Sequence, residues 1–226
     1  MVSPPPTAAL AGIPSGLQGQ GPWLGRRQVF VRFAGEAETA TMYTAPALVN
    51  ELRRATQRAA YHSIAVGGRD ALGNAEFLAV ALGALGGVLP VMLSTDGQRP
   101  EELARVERHV ALVQVTLDPA APDASAERAL ETLRRAARAG REHALVLGVG
   151  DGATDAQVAR AVERAHAASG GTIIVIHPDP AGGDARGEAE SARVVDARWT
   201  ALMERLVAVH ADTRLLLRIP APVGMT

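Results

Sequence analysis

Seven short apolar runs recur along this chain at intervals of about thirty residues, and they limit the folds that it can adopt. The runs are rich in Val, Ile and Leu, and most lack the polar–apolar alternation of a strand with one wet face. Such runs are typical of strands that are covered on both faces. They are QVFVRF (28–33), SIAVGG (63–68), VLPVML (88–93), VALVQVTL (110–117), HALVLGVG (143–150), TIIVIH (172–177) and RLLLRI (214–219).

Helical patterns with recognisable start and stop signals lie between these runs. The signals are Thr44 with Pro46, the stop at Gly86-Gly87, Pro100, a start at Asp123 or Ser125 with a stop at Gly140, Thr154, and a long pattern over 189–210. Strands that alternate with helices predict a parallel sheet with outer helices. An open doubly wound sheet and a partial barrel, shorter than the eight-unit form, both fit, and both place function at the carboxyl ends of the strands.

Composition narrows the class of protein. The chain has 226 residues and a net charge of −1, so no overall field would attract nucleic acid or anionic lipid. Residues 1–15 are rich in Pro, Ala and Gly and predict a flexible arm, followed by one domain over 16–226. No apolar run reaches the length of a membrane span, and the first residues lack a secretory pattern. A cytoplasmic protein with no membrane or nucleic-acid partner is expected.

The sequence contains no cysteine. A cysteine nucleophile, a thiolate zinc site and a cysteine-ligated iron–sulfur cluster are therefore excluded.

One stretch of the chain resembles a known enzyme family. The segment LQGQGPWLGRRQVFVRFAG (17–35) is similar to the start of the 7-carboxy-7-deazaguanine synthases of queuosine biosynthesis, in the radical S-adenosylmethionine superfamily. The corresponding motif in those enzymes is close to SIQGEG followed by PxxGxxxVFVRxxG. Weaker similarities follow in SIAVGGRDAL (63–72), VMLSTDGQRPEEL (91–103) and IVIHPDPAGG (174–183). The resemblance runs from about residue 13 to the C-terminus and implies a partial (βα)6 barrel with parallel strands and outer helices.

The sequence differs from the family's pattern at the residues that bind the iron–sulfur cluster and S-adenosylmethionine. The family follows its first strand with CxxxCxxC, whose thiolates hold a [4Fe–4S] cluster that binds S-adenosylmethionine. Here Gly35 leads into EAETAT (36–41), and Arg69 and Asp70 stand where the family has Glu and Pro. The [4Fe–4S] cluster is thus excluded, S-adenosylmethionine is not expected, and no cofactor is predicted.

Residues on the substrate side of the family's site are retained. The resemblance implies that Gln18, Gly19, Gln20 and Arg32 face a carboxylated pterin or deazapurine. Further predicted ligand-binding residues are Gly67, Gly68, Thr95 and His177. Arg32 also interrupts an apolar strand, and a planar guanidinium suits a carboxylate ligand; an internal salt bridge is the alternative explanation.

These residues predict a pseudoenzyme-like protein that binds a ligand without radical chemistry. The resemblance implies a homodimer, and an active homologue is a further candidate partner. Whether any catalysis remains is open.

Two alternatives remain. Strand-end residues could form a divalent-metal site for lyase or hydrolase chemistry, although Asp commonly begins turns and caps helices. These residues are Asp96, Asp118, Asp151, Asp179 and His177. The other alternative is an interaction protein with an empty pocket.

Overall fold

The computed structural model describes residues 4–150, 152–178 and 199–217. These residues form one mixed sheet of ten strands in the order β10-β9-β8-β7-β6-β5-β3-β1-β4, with β2 paired to β3. The strands are β1 (Thr7–Gly12), β2 (Ser15–Leu17), β3 (Arg27–Phe33), β4 (Thr41–Thr44), β5 (Ser63–Gly68), β6 (Val91–Thr95), β7 (Leu112–Leu117), β8 (Glu142–Val149), β9 (Ile173–Pro178) and β10 (Thr213–Leu215).

Helices follow most of the parallel strands. They are α1 (Ala45–Arg58), α2 (Ala75–Leu85), α3 (Leu103–Val106), α4 (Asp123–Arg138), α5 (Asp155–Ala168) and α6, which is described over 199–209. The predicted caps of α1 and α5 are confirmed, because the hydroxyls of Thr44 and Thr154 accept from the amides of Ala47 and Gln157. The glycine stop of α2 is confirmed at Gly86, which has φ 71°.

The prediction of a parallel α/β sheet is confirmed. Strands β3 and β5 to β10 lie side by side in sequence order, and each adjacent pair is parallel. The barrel is not confirmed, because the described sheet is open, with β10 at one end and β4 at the other.

The N-terminal residues differ from the expected flexible arm. Residues 7–12 form β1, which pairs antiparallel with both β3 and β4, and Ser15 begins β2. Ala8 and Leu10 are buried on β1, so this segment contributes apolar side chains to the core. Only alternate residues of this short strand are buried, so the segment needs few large apolar residues. The Pro and Ala content in and around it therefore resembles that of a flexible arm although it forms a strand.

The helix expected from Pro100 is broken into shorter pieces. A 3-10 turn over Pro100–Glu102 precedes α3, and another over Glu107–His109 follows it. Leu103 and Val106 are both fully buried. Residues three apart share one face of an α-helix, so both side chains of α3 point into the core.

The main hydrophobic core lies between the sheet and its helices. It joins outward-facing strand residues such as Val31, Val66 and Val115 to buried faces of the helices, including Trp199 and Leu202 of α6. Among the residues described, the structure has no helix long and apolar enough to cross a membrane.

Candidate ligand-binding site

The face of the sheet opposite the helices carries polar residues, and we call it the inner face. Successive side chains of a strand point to opposite faces, so residues that alternate with the core positions lie here. It includes Gln28, Phe30 and Arg32 of β3, Ser63, Ala65 and Gly67 of β5, Met92 and Ser94 of β6, Leu112, Gln114 and Thr116 of β7, Ala144 of β8 and His177 of β9.

Four inner-face residues form a row across four neighbouring strands. Arg32 pairs in register with Gly67, and Ser94 pairs with Gln114. A Cβ on Gly67 would lie 3.3 Å from the Cβ of Ser94, so these two residues are also neighbours. The row thus runs from a cation, over a position without a side chain and a small hydroxyl, to an amide. We call it the recognition row.

A loop over residues 18–26 lies against the inner face, and we call it the cover loop. Its ends are tied together, because the Gln18 amide donates to the Arg26 carbonyl and the Gly25 amide donates to the Gln18 carbonyl, both at 2.8 Å. Trp23 packs on the apolar cluster of Ala65, Met92, Leu112 and Ala144, and its ring contacts His62 edge-on at 4.9 Å. The loop therefore has a polar tip and an apolar anchor.

The structure brings the predicted glutamine and glycine residues of this loop to the predicted face. Gln18 is 5% exposed, and its Nε2 lies 3.8 Å from the Sδ of Met92. Gly19 and Gln20 are half-buried beside it. They lie on the segment that covers the face to which Arg32 and Gly67 belong.

Arg32 lies at the exposed end of the recognition row. Its side chain is 44% exposed, and its Nη2 lies 3.0 Å from the Oε1 of Glu38. The other oxygen of Glu38 accepts from the Gly35 amide at 2.9 Å. The internal salt bridge that the sequence offers as an alternative for Arg32 is therefore present, although the side chain is half-exposed at the carboxyl end of the strand.

The next loops carry a second line of ion pairs. Arg69 lies 3.6 Å from Glu36, and both side chains are largely exposed. Asp70 accepts from Arg99 at 2.7 Å, and this bond and charge raise the pKa of the Arg99 guanidinium. Glu36 and Glu38 are thus each paired with an arginine.

Two predicted ligand residues have clear structural roles. Gly68 has φ 97°, and a Cβ there would lie 2.7 Å from the backbone nitrogen of Phe33. Its lack of a side chain lets β5 end close against β3. The Thr95 hydroxyl accepts from the Gly97 amide at 3.1 Å, and the Gly97 carbonyl accepts from Thr132 at 2.9 Å. Thr95 therefore shapes a turn that docks on α4.

His177 is fully buried and anchors the cover loop. Its Nε2 accepts from the Gly21 amide at 2.9 Å, and its Nδ1 lies 2.6 Å from the carbonyl oxygen of Leu216. The neutral ring with its proton on Nδ1 satisfies both bonds. The expected ligand-facing position of this histidine is therefore taken by the chain itself.

The strand-end acids that lie in the described part of the chain shape turns. Oδ1 of Asp96 accepts from the Gln98 amide at 3.1 Å, and Oδ1 of Asp118 accepts from the Ala120 amide at 2.8 Å. Asp151 and Asp179 lie outside the described residues. Within the described ranges, no three His, Asp or Glu side chains are grouped as a metal site. The metal-dependent enzyme thus stays a sequence prediction.

A cavity of about 200 Å³ lies between the β7–α4 connection and α5. The arginines in its wall are already paired: Arg160 and Arg164 both contact Asp123, and Arg164 also contacts Glu127. Hydrogen bonds from Arg134 and Arg164 lower the pKa of the Glu127 carboxyl. This network holds α4 against α5, and its charges balance without a ligand.

The sequence patterns did not single out Ser94 and Gln114, the two members of the row on β6 and β7. Gln114 is the polar interruption in the run VALVQVTL (110–117), as Arg32 is in QVFVRF (28–33). The same signal, a polar residue within a strand covered on both faces, was available for both. Their alignment in one row depends on the register between strands, which the sequence does not state.

No protein-family model matches the sequence, and a search of curated proteins finds no significant match. Among solved structures, the chain is similar to a truncated form of 3-deoxy-D-arabino-heptulosonate 7-phosphate synthase from Thermotoga maritima. That similarity has a TM-score of 0.38 and 12% identity, and it covers 84% of this chain and 81% of the other. A likeness this distant defines neither the fold nor the site, and these comparisons give no support to the radical S-adenosylmethionine resemblance.

Proposed function

We propose that the protein binds a small planar carboxylate of the pterin or deazapurine class on its inner face, without radical chemistry. The observation that carries the proposal is the recognition row, in which Arg32, Gly67, Ser94 and Gln114 follow one another across four strands.

The row is suited to a flat, elongated ligand. Three strand spacings separate the backbones of Arg32 and Gln114, which corresponds to about 14 Å along the sheet. Gly67 and Ser94 leave a low floor between the two larger side chains. A bicyclic heterocycle can lie on that floor with its carboxylate toward Arg32, where the guanidinium offers charged hydrogen bonds.

The Arg32–Glu38 pair makes carboxylate binding an exchange. Glu38 already presents a carboxylate to Arg32 at 3.0 Å, on an exposed loop. A ligand carboxylate would replace a partner of the same charge, so the net charge around the guanidinium stays the same. Exposed ion pairs contribute little to stability, so a ligand can displace this one at small cost.

The chemistry of the chain favours binding over turnover. The absence of cysteine excludes the iron–sulfur cluster on which the resembled family depends. Sequestering or sensing the ligand, alone or for an active homologue, is the role that such a site serves.

Calorimetric titration with 6-carboxytetrahydropterin under anaerobic conditions tests the proposal. Saturable binding is expected, and Arg32→Ala should weaken it about two- to fivefold, because the guanidinium is half-exposed and an exposed ion pair contributes about 0.2–1 kcal/mol. Arg54→Ala is the matched control, since Arg54 is an exposed arginine of α1 that pairs with Glu51. If titration of the unmodified protein gives no saturable heat of binding, the proposal is wrong.

The homodimer remains part of this proposal. Strand β4 forms one end of the described sheet, and its Met42 is 64% exposed, so a partner strand could pair there. Light scattering coupled to size exclusion measures the oligomeric state, and a mass of one chain at micromolar concentration would contradict a dimer.

A further inference from the structure

The side chain of Gln114 is fully buried without a hydrogen-bond partner. It lies on β7 with no exposed surface, and neither Oε1 nor Nε2 has a partner among the described residues. Buried side-chain amides are nearly always paired, because an unpaired one loses its bonds to water and gains nothing in return. The closed arrangement around Gln114 therefore lowers the stability of the folded protein.

The tip of the cover loop packs on the side chain of Gln114. Gly21 packs so close that a Cβ there would overlap the amide of Gln114 and lie 2.7 Å from its Cδ. Gly21 also has φ 81°, a conformation that favours glycine. The tip is held in place by the hydrogen bond from the Gly21 amide to Nε2 of His177.

The rest of the cover loop is attached independently of this contact. Trp23 packs on the apolar cluster of the inner face, and the ends of the loop are joined by backbone hydrogen bonds. Residues 19–22 can therefore move away from Gln114, with the anchor in place, at the cost of two hydrogen bonds. These are the bond from the Gly21 amide to His177 and the bond from the Leu24 amide to the Gly21 carbonyl. Glycines at 19 and 21 supply the backbone freedom.

We infer that Gln114 is a ligand-binding residue, covered by Gly21 in the closed state, that takes a planar group whose edge offers a hydrogen-bond donor beside an acceptor. A glutamine amide donates through Nε2 and accepts through Oε1, which matches lactam and amidine edges. This inference rests on the proposed function, because it places the heterocycle edge at one end of the row whose other end is Arg32.

Binding then has a defined exchange of contacts. The ligand edge replaces the Gly21 segment over Gln114, so two hydrogen bonds form where the closed state has none. The hydrogen bonds of Gly21 with His177 and with Leu24 are lost. Loop opening is thus coupled to recognition of the ligand edge.

The first experiment needs no ligand. Gln114→Met removes the unpaired amide at nearly constant shape and should raise Tm by about 2–4 °C. It should also slow hydrogen–deuterium exchange over 18–26. Gln28→Met is the comparison, because Gln28 is equally buried on the inner face and its Nε2 donates to the Ser63 hydroxyl at 2.8 Å, whereas its Oε1 is unpaired. One hydrogen bond is lost there, so Gln28→Met should raise Tm less than Gln114→Met does. A lowered Tm for Gln114→Met would overturn the inference.

A second variant tests the cover itself. Gly21→Ala places a methyl group on the Gln114 amide, so exchange over 18–26 should become faster. Gly86→Ala imposes a similar positive φ at a position with no atom within 4 Å, and it should leave that exchange unchanged. Unchanged exchange in Gly21→Ala would show that this contact does not close the loop.

Titration with two probes separates this inference from the proposed function. The probes are 6-carboxytetrahydropterin and pterin, which has the same heterocycle edge without a carboxylate. Gln114→Met should weaken both at least about tenfold, as expected for a lost bidentate contact, whereas Arg32→Ala should weaken only the carboxylated probe. Binding that depends on Arg32 but not on Gln114 would overturn the inference alone. No binding of either probe would overturn both.

Discussion

The carboxylate of Glu38 lies 3.0 Å from the guanidinium of Arg32 and accepts a second hydrogen bond from the Gly35 amide. The loop that follows the first parallel strand therefore supplies its own carboxylate to the arginine at the end of the recognition row. The segment EAETAT (36–41), which lacks every residue of a cluster-binding loop, has a definite role in this structure. It neutralises the strand-end cations Arg32 and Arg69.

Removal of the Glu38 charge should strengthen carboxylate binding. In Glu38→Gln the internal competitor for Arg32 is weaker, and we expect the Kd of 6-carboxytetrahydropterin to fall about two- to fivefold, the range for an exposed ion pair. Glu36→Gln is the control, since Glu36 pairs with Arg69 at 3.6 Å and is outside the row. Equal changes in both variants, measured by titration at one ionic strength, would point to a general charge effect and contradict competition at Arg32.

A side chain at position 68 should destabilise the fold. In Gly68→Ala the new Cβ lies 2.7 Å from the Phe33 nitrogen at φ 97°, so it meets rigid backbone and strains its own. We expect a loss of more than about 2 kcal/mol in urea unfolding, combining steric clash with positive-φ strain.

The comparison for that loss is Gly86→Ala, which has φ 71° and open space around its Cβ. It should cost about 1 kcal/mol, the strain alone. If both variants lose the same free energy of unfolding, the close approach of β5 to β3 is not the reason why position 68 needs glycine.

Much of the fold follows from local patterns in the sequence. The seven apolar runs are found as β3 and β5 to β10, and the caps at Thr44 and Thr154 begin α1 and α5 as expected. These features depend on residues close together in the chain. The pairing of residues 7–12 with β3 and β4 depends on partners far away, so the Pro-rich composition around it gave the wrong indication of a flexible arm.

The candidate site was predicted less completely than the fold, because it depends on strand register and on which side chains become buried. Gln18, Arg32 and Gly67 were chosen on resemblance and lie on or against one face. Gln114 was missed because its place beside Ser94 arises only when β6 and β7 pair. His177 was expected to face a ligand, yet its burial and its bonds to Gly21 and Leu216 depend on segments 156 and 39 residues away.

Thr95 should contribute to stability and not to ligand affinity. Its hydroxyl accepts from the Gly97 amide, and that turn is held on α4 by Thr132. Thr95→Val keeps the shape and leaves the Gly97 amide unpaired, so we expect a loss of about 1 kcal/mol or more in chemical denaturation. The Kd of 6-carboxytetrahydropterin should stay within about twofold. If Thr95→Val binds 6-carboxytetrahydropterin tenfold more weakly at unchanged stability, Thr95 contacts the ligand and this prediction is wrong.

His109 should make the protein less stable in mild acid. Burial, and then the positive charge of Arg108, lower the pKa of the His109 imidazole below its ordinary value of 6.5. Its Nε2 accepts from Arg108 at 2.9 Å, so the neutral ring fits the folded state. Because the unfolded chain binds this proton more readily, the contribution to stability is complete above pH 6.5 and is lost as pH falls through the lower folded pKa.

An NMR titration of the His109 ring measures this directly, with a midpoint expected below 6.5. Arg108→Ala should raise the midpoint only part of the way, since burial is the larger cause and remains. His109→Gln should flatten the pH dependence of the free energy of unfolding below pH 6.5, because the titrating group is gone. A midpoint at or above 6.5 in the unmodified protein would contradict the neutral, partly buried imidazole that the contact with Arg108 requires.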